Sequence, residues 1–222
     1  LRALQQRLLI GDAANILEKI IRVSAAPMAN FKLIIEYDGT AYCGWQRQAG
    51  DPTLQETIET ALSVMTRETI RLIGSGRTDA GVHALGQTAH FHTRSGISPQ
   101  GFQAGLNSLL PDDIVIRSCD PVPDDFHARF HARHKTYRYT IRNQRLPAAI
   151  GRQYAWHIRK PLDIPAMRAA AGYIIGTHDF KSFEGTGSPR ADTIRTVLIA
   201  SITRTPADDV VFEVTATGFL RY

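Results

Sequence analysis

Between Phe31 and Cys119 the hydrophobic pattern changes period in a fixed order, and that order restricts the fold more than any other feature of the chain. "FKLIIEY" (31–37) is rich in apolar and aromatic residues and is stopped by Asp38-Gly39, which predicts a strand and a turn. "TLQETIETALSVM" (53–65) repeats apolar residues at Leu54, Ile58, Leu62 and Met65 behind Thr53 and Glu56, which have the spacing of a capping box. A helix is predicted there. "TIRLIG" (69–74) predicts a short strand, and "QTAHFHT" (87–93) alternates as another. Ser98-Pro99 opens a helix in the N-cap and first-turn manner, running to about Leu109, and "DIVIRSC" (113–119) is a strand.

Strand, helix, strand, strand, helix, strand is the split-βαβ or ferredoxin-like order. It then starts again. "HKTYRYTIRN" (134–143) is a strand, and "DIPAMRAAAGYIIG" (163–176) is a helix with Asp163 as cap, Pro165 early and Gly176 at its end. Residues 193–205 and 209–217 are strands turned at Pro206 to Asp209. The expected fold is α+β: two ferredoxin-like (β-α-β-β-α-β) halves with mainly antiparallel sheet, the second half truncated. The expected divisions are an extension over 1–28, an N-terminal subdomain over 29–126 and an incomplete C-terminal subdomain over 127–222. The leader carries Leu4, Leu8, Ile16, Leu17, Ile20 and Ile21 at helical spacing, and Asp12, Glu18 and Lys19 exclude a signal peptide. Met28 is the expected true start.

No apolar run approaches the roughly 20 residues that span a bilayer. Two cysteines, Cys43 and Cys119, make a disulfide framework unexpected and suit a reducing cytoplasm. The net charge of +5 and pI near 9.4 point weakly to a polyanion. The distribution says more: Phe126 to Leu162 holds nine Arg and Lys and no Asp or Glu. On strand 134–143, Arg138 and Arg142 share one face while Tyr137, Tyr139 and Ile141 share the other. Cations interleaved with aromatics suit a nucleic acid, with charge on phosphates and rings on bases. A solvated positive face beside buried tyrosines is the plainer alternative.

Histidines 127, 131 and 134 fall at helical spacing, and His90 with His92 shares a strand face. A metal is not expected, because arginines crowd the first set and neither cysteine has a second soft ligand beside it. "GSGRTDAGVHALGQTAHFH" (74–92) is more pointed. Gly74, Gly76 and Gly81 bracket Asp79, which permits positive φ and close approach of a bulky ligand. Arg77 and Asp79, two apart, point the same way in extended backbone. There is no Gly-Lys-Ser/Thr and no G-x-G-x-x-G opening a helix, so the phosphate-loop patterns do not fit. From spacing alone, Asp79 as a turn former competes with Asp79 as a reactive carboxylate.

"GRTDAGVHALGQTAHF" closely resembles the active-site signature of the tRNA pseudouridine synthase A family. "EYDGTAYCGWQRQ" (36–48), "VPDDFHARF" (122–130), "KTYRYTI" (135–141) and "HDFKSF" (178–183) match it too, so the resemblance covers 31–222. It implies that Asp79 is the catalytic aspartate that starts breakage of the uridine glycosidic bond. It implies that Tyr137 stacks on the target uracil and helps remove the C5 proton, and that Arg77 fills the space left by the flipped nucleotide. Arg129, Arg133, Lys135, Arg138 and Arg142 are the candidates for contact with the tRNA backbone. The resemblance further implies a cytoplasmic, metal- and cofactor-free homodimer acting on uridines of the tRNA anticodon arm, with no membrane partner. Which uridines are chosen, and whether Asp79 engages C1′, C6 or the C2′ proton, is not legible. A basic residue and a leucine that complete the family's pocket fall beyond "GFLRY", so the 222-residue chain is expected to be inactive or nearly so. A non-catalytic module that binds structured RNA is the competing expectation, and a metal-dependent hydrolase using the histidines is the weakest.

Overall fold

The computed structural model describes residues 27–185 and 192–220; the helix expected in the leader lies outside the described residues. The chain divides into two compact units, one ending at His131 and the other beginning at Ala132.

In the first unit the expected order is present: β1 (Ala29–Tyr37), α1 (Leu54–Thr66), β2 (Ile73–Gly74), β3 (Ala84–Thr93), α2 (Pro99–Leu109) and β4 (Ile114–Val122). The sheet runs β2-β3-β1-β4 with every neighbour antiparallel. β1 buries Phe31, Leu33, Ile35 and Tyr37 on one face, which meet Phe91, Ile114 and Ile116 of the flanking strands. Leu54, Ile58 and Leu62 of α1 and Phe102 and Leu106 of α2 close that face from one side. Phe31, Phe91 and Phe102 sit with centroids 5.1–5.6 Å apart.

Two local expectations need correction. α1 begins where expected, but the capping box does not form: Thr53 makes no side-chain cap bond, and Glu56 pairs with Arg47 at 3.1 Å. The first helical N–H groups are satisfied by backbone instead, Leu54 donating to the Gly44 carbonyl and Gln55 to that of Trp45. The strand expected over 69–74 shrinks to Ile73–Gly74. The backbone of Leu72 is taken by helix side chains, its N–H donating to Glu59 Oε1 at 2.9 Å and its carbonyl accepting from Gln55 Nε2 at 2.9 Å.

The second unit contains β5 (Lys135–Arg142), β6 (Trp156–His157), α3 (Ile164–Tyr173), β7 (Gly176–Asp179), β8 (Ile194–Arg204) and β9 (Val210–Ala216). The sheet order is β6-β5-β9-β8-β7, antiparallel except for the β5/β6 pair. Asp163 caps α3 by accepting from Ala166 N at 2.9 Å. Gly176 does not end that helix: at φ +110° it opens β7, a strand not expected from the sequence, as β6 was not. α3 packs Ile164 and Ala171 on Ile141, Ile202 and Val210. Both units are therefore α+β, with mainly antiparallel sheets. Among the described residues no helix is long and apolar enough to cross a membrane.

Candidate active site

Residues 75–83 connect β2 to β3 and carry Arg77 and Asp79, both exposed. The loop is pinned along its length. Ser75 N donates to the Thr88 carbonyl at 2.8 Å, and Gln87 Nε2 holds the carbonyl of Gly76. Trp45 N donates to the Thr78 carbonyl at 2.9 Å, and Tyr37 Oη and Thr78 Oγ1 are 2.9 Å apart. Gly81 N donates to the Tyr42 carbonyl, and Val82 N to that of Asp79. The last bond closes a turn with Gly81 at φ +75°, the third position, where positive φ calls for glycine.

Of the three glycines that bracket Asp79, only Gly81 has positive φ. Gly74 serves a different purpose: a Cβ there would stand 2.7 Å from Cε2 of buried Trp45. The glycine that shapes the loop was missed by spacing. Gly44, at φ +93°, lets residues 78–80 lie directly on it, and a Cβ would come within 2.6 Å of the Thr78 carbonyl oxygen. The segment Gly44–Trp45 thus works in two directions, its N–H holding the loop and its carbonyls capping α1. The only sequence signal was a Gly-Trp pair in a stretch without periodicity.

In the second unit Tyr137 is half-buried on β5, its ring meeting Phe219 edge-on at 4.7 Å beside Val214 and Ala216. The face assignment along β5 holds, because Tyr137, Tyr139 and Ile141 lie opposite Val214, Phe212 and Val210. The cations of the other face are already engaged. Arg138 binds Glu213 through Nε at 3.0 Å and Nη2 at 2.8 Å; Arg142 binds Asp209 at 3.1 and 3.0 Å. Arg129 lies 5.9 Å from the Phe130 ring centre, Arg133 is exposed and Lys135 is half-buried.

The histidines accept from backbone. His90, 1% exposed, takes the Ala128 N–H on Nδ1 at 3.1 Å, and His131 Nδ1 takes that of His127. His127 Nδ1 takes those of Arg129 and Phe130. Burial, then the neighbouring His127 and His92, pushes the His90 pKa down to about 4. His90 fastens the 123–131 segment to β3, while His127 and His131 brace turns within that segment. Among the described residues no three His, Cys, Asp or Glu side chains are grouped to hold a metal ion.

A protein family described as tRNA pseudouridine synthase matches residues 33–131 and 170–222. The chain is 49% identical over 194 residues to tRNA pseudouridine synthase A of Acetivibrio thermocellus, covering 87% of this chain and 79% of that protein. It is 48% identical over 193 residues to the protein of the same name from Clostridium acetobutylicum, and 46% identical over 193 residues to that from Thermoanaerobacter sp., with the same coverage.

Proposed function

This chain belongs to the tRNA pseudouridine synthase family, and on that premise we propose that it isomerises uridine to pseudouridine in the anticodon arm of tRNA. The observation that carries the reading is the Asp79 loop: an exposed carboxylate on backbone fixed at Ser75, Gly76, Thr78, Gly81 and Val82, within a sequence shared with the family. Preorganisation of this kind keeps a reactive group in place without reorganisation during the reaction.

The C1′–N1 bond breaks, the uracil turns in its pocket, and C5 bonds to C1′. C5 then gives up its proton and N1 acquires one, so the product has the substrate's composition. The Asp79 carboxylate starts the cleavage. Tyr137 stacks on the freed base and assists loss of the C5 proton; the stacking is worth about 1–3 kcal/mol. Arg77 enters the gap left by the flipped nucleotide and offsets an unstacking cost of a few kcal/mol. No oxidant or group donor takes part, so neither cofactor nor metal enters the proposal. The protein acts as a cytoplasmic homodimer, where its tRNA substrate is found.

Tritium release from tRNA labelled at uracil C5 tests this with the full-length protein. Asp79→Ala lowers the rate by about 10³-fold, the scale of one positioned acid–base group, with an unchanged unfolding midpoint. Release that survives the substitution moves the chemistry elsewhere. No release from the unsubstituted protein leaves a binder of structured RNA.

A further inference from the structure

The thirteen residues 143–155 that join β5 to its parallel neighbour β6 lie outside the Asp79 loop and hold no strand or α-helix. They are held at both ends. Asn143 Nδ2 donates to the carbonyls of Ile158 and Lys160 at 2.8 and 2.7 Å, while its Oδ1 accepts from Leu162 N at 3.1 Å. His157 Nε2 lies 2.8 Å from the Gln144 carbonyl, and Gly151 at φ +70° starts a 3₁₀ turn over Arg152–Tyr154. Yet this fastened loop and the first residue of β6 leave large apolar groups in water: Leu146 is 72% exposed, Ile150 91%, Tyr154 53% and Trp156 67%. Between its limbs is an open cavity of about 350 Å³, whose lining includes Pro147, Ala148, Ala149, Ala155, Arg152 and the ion-paired Arg142.

We propose that this loop is a second RNA contact, with Tyr154 and Trp156 stacking on bases, the alanine-lined cavity taking one unpaired nucleotide, and Arg145, Arg152 and Arg159 holding phosphates. It rests on the reading that the substrate is RNA and specifies where, apart from the reacting uridine, that RNA is held. Charge decides the occupant. Arg145, Arg152, Arg159 and Lys160 are all exposed, and no acidic residue occurs between Phe126 and Leu162 to balance them. Arg138 and Arg142, the more obvious cations from sequence, are already bound to Glu213 and Asp209. A second copy docked about a two-fold axis would set this uncompensated patch against itself. A polyanion with flat apolar faces meets both the charge and the exposed rings.

The test is tRNA binding by the 222-residue chain, with unmodified transcript, across a salt series. Arg145→Ala/Arg152→Ala/Arg159→Ala weakens binding at least roughly tenfold and flattens the log–log salt slope by about 2–3, the share of three phosphate contacts. Trp156→Ala weakens it roughly tenfold, the size of one lost base stack. In the unsubstituted chain tRNA quenches Trp156 emission, a change that Trp156→Phe removes; this reading needs no variant to keep its affinity. Unchanged affinity and slope in the triple variant overturn the proposal, as does absence of the quench. A variant that alters the mass by light scattering while binding tRNA normally also overturns it, in favour of a contact between copies. The enzymatic reading fails separately: no tritium release alongside intact binding by this loop breaks that reading and leaves this one standing.

Discussion

In the first unit several of the groups that fasten irregular backbone are buried, although Gln87, which holds Gly76, is only half-buried. Gly44 and Trp45 hold Thr78, Gln55 and Glu59 hold Leu72, and His90 holds Ala128. In the second unit the same job falls to half-buried side chains: Asn143 at residues 158, 160 and 162, and His157 at Gln144. Most of the large exposed apolar side chains are also there, among them Tyr139, Ile150, Trp156, Tyr173 and Phe183. A buried polar bond is costly to lose, because the abandoned partner has no water to turn to. On the proposed reading, the first unit keeps the Asp79 loop fixed and the second keeps a recognition surface in shape.

The contrast predicts a pH dependence that belongs to the first unit. His90 is enclosed, next to His127 and His92, and its pKa falls from 6.5 to about 4. Between those values the unfolded chain takes up a proton that the folded one refuses. Stability is therefore highest above pH 6.5 and is lost as pH drops to 4, by up to about 3 kcal/mol. His90→Asn, which still offers an acceptor to Ala128 N, abolishes that part of the slope in urea unfolding followed from pH 7 to 4. An unchanged slope would show that His90 takes no part in acid unfolding.

Two glycines with positive φ sharpen the comparison next. Gly44 at +93° has the Thr78 carbonyl in the path of any Cβ, whereas Gly151 at +70° has nothing within 4 Å. Gly44→Ala meets both backbone strain, about 1–3 kcal/mol, and a clash that moves the Asp79 loop. The full-length protein loses about 10²-fold in kcat, the effect of displacing a reacting group by about 1 Å. Gly151→Ala meets strain alone, costs about 1 kcal/mol in stability, and leaves kcat where it was. Equal kcat losses in the two variants would erase the distinction between the loops.

Much of this was legible in sequence wherever the cause was local. Periodicity placed the strands and helices of the first unit, and Ser98 and Asp163 cap their helices as read. The Asp79 loop could be singled out because its glycines are adjacent. What escaped depended on partners far along the chain. β2 is short because residues 13 and 17 positions away claim Leu72. The ion pairs of the β5 arginines could not be read off, because Glu213 and Asp209 come 75 and 67 residues later. Nothing in the spacing of Gly44 shows that Thr78 will lie on it.

The smallest effect is expected at Asn143, and there the order of two substitutions is more informative than their size. Asn143→Ala releases Leu162 N and the carbonyls of Ile158 and Lys160. All three lie near enough to the surface for water to replace part of what is lost, so the cost is about 1–2 kcal/mol. Asn143→Asp has the same shape and keeps the acceptor for Leu162 N, but it sets a carboxylate oxygen against two carbonyl oxygens. If Asn143 acts through its two donated bonds, Asp is worse than Ala at pH 7 despite the closer resemblance. The deficit then shrinks as pH falls through the carboxyl range near ~4, where the protonated acid can donate again. Because the loop serves binding and not the reaction, both variants weaken tRNA affinity while leaving kcat at saturating tRNA unchanged in the full-length protein. A stability order of Asp above Ala would mean that Leu162 N is the bond that matters, and that the carbonyls need no staple.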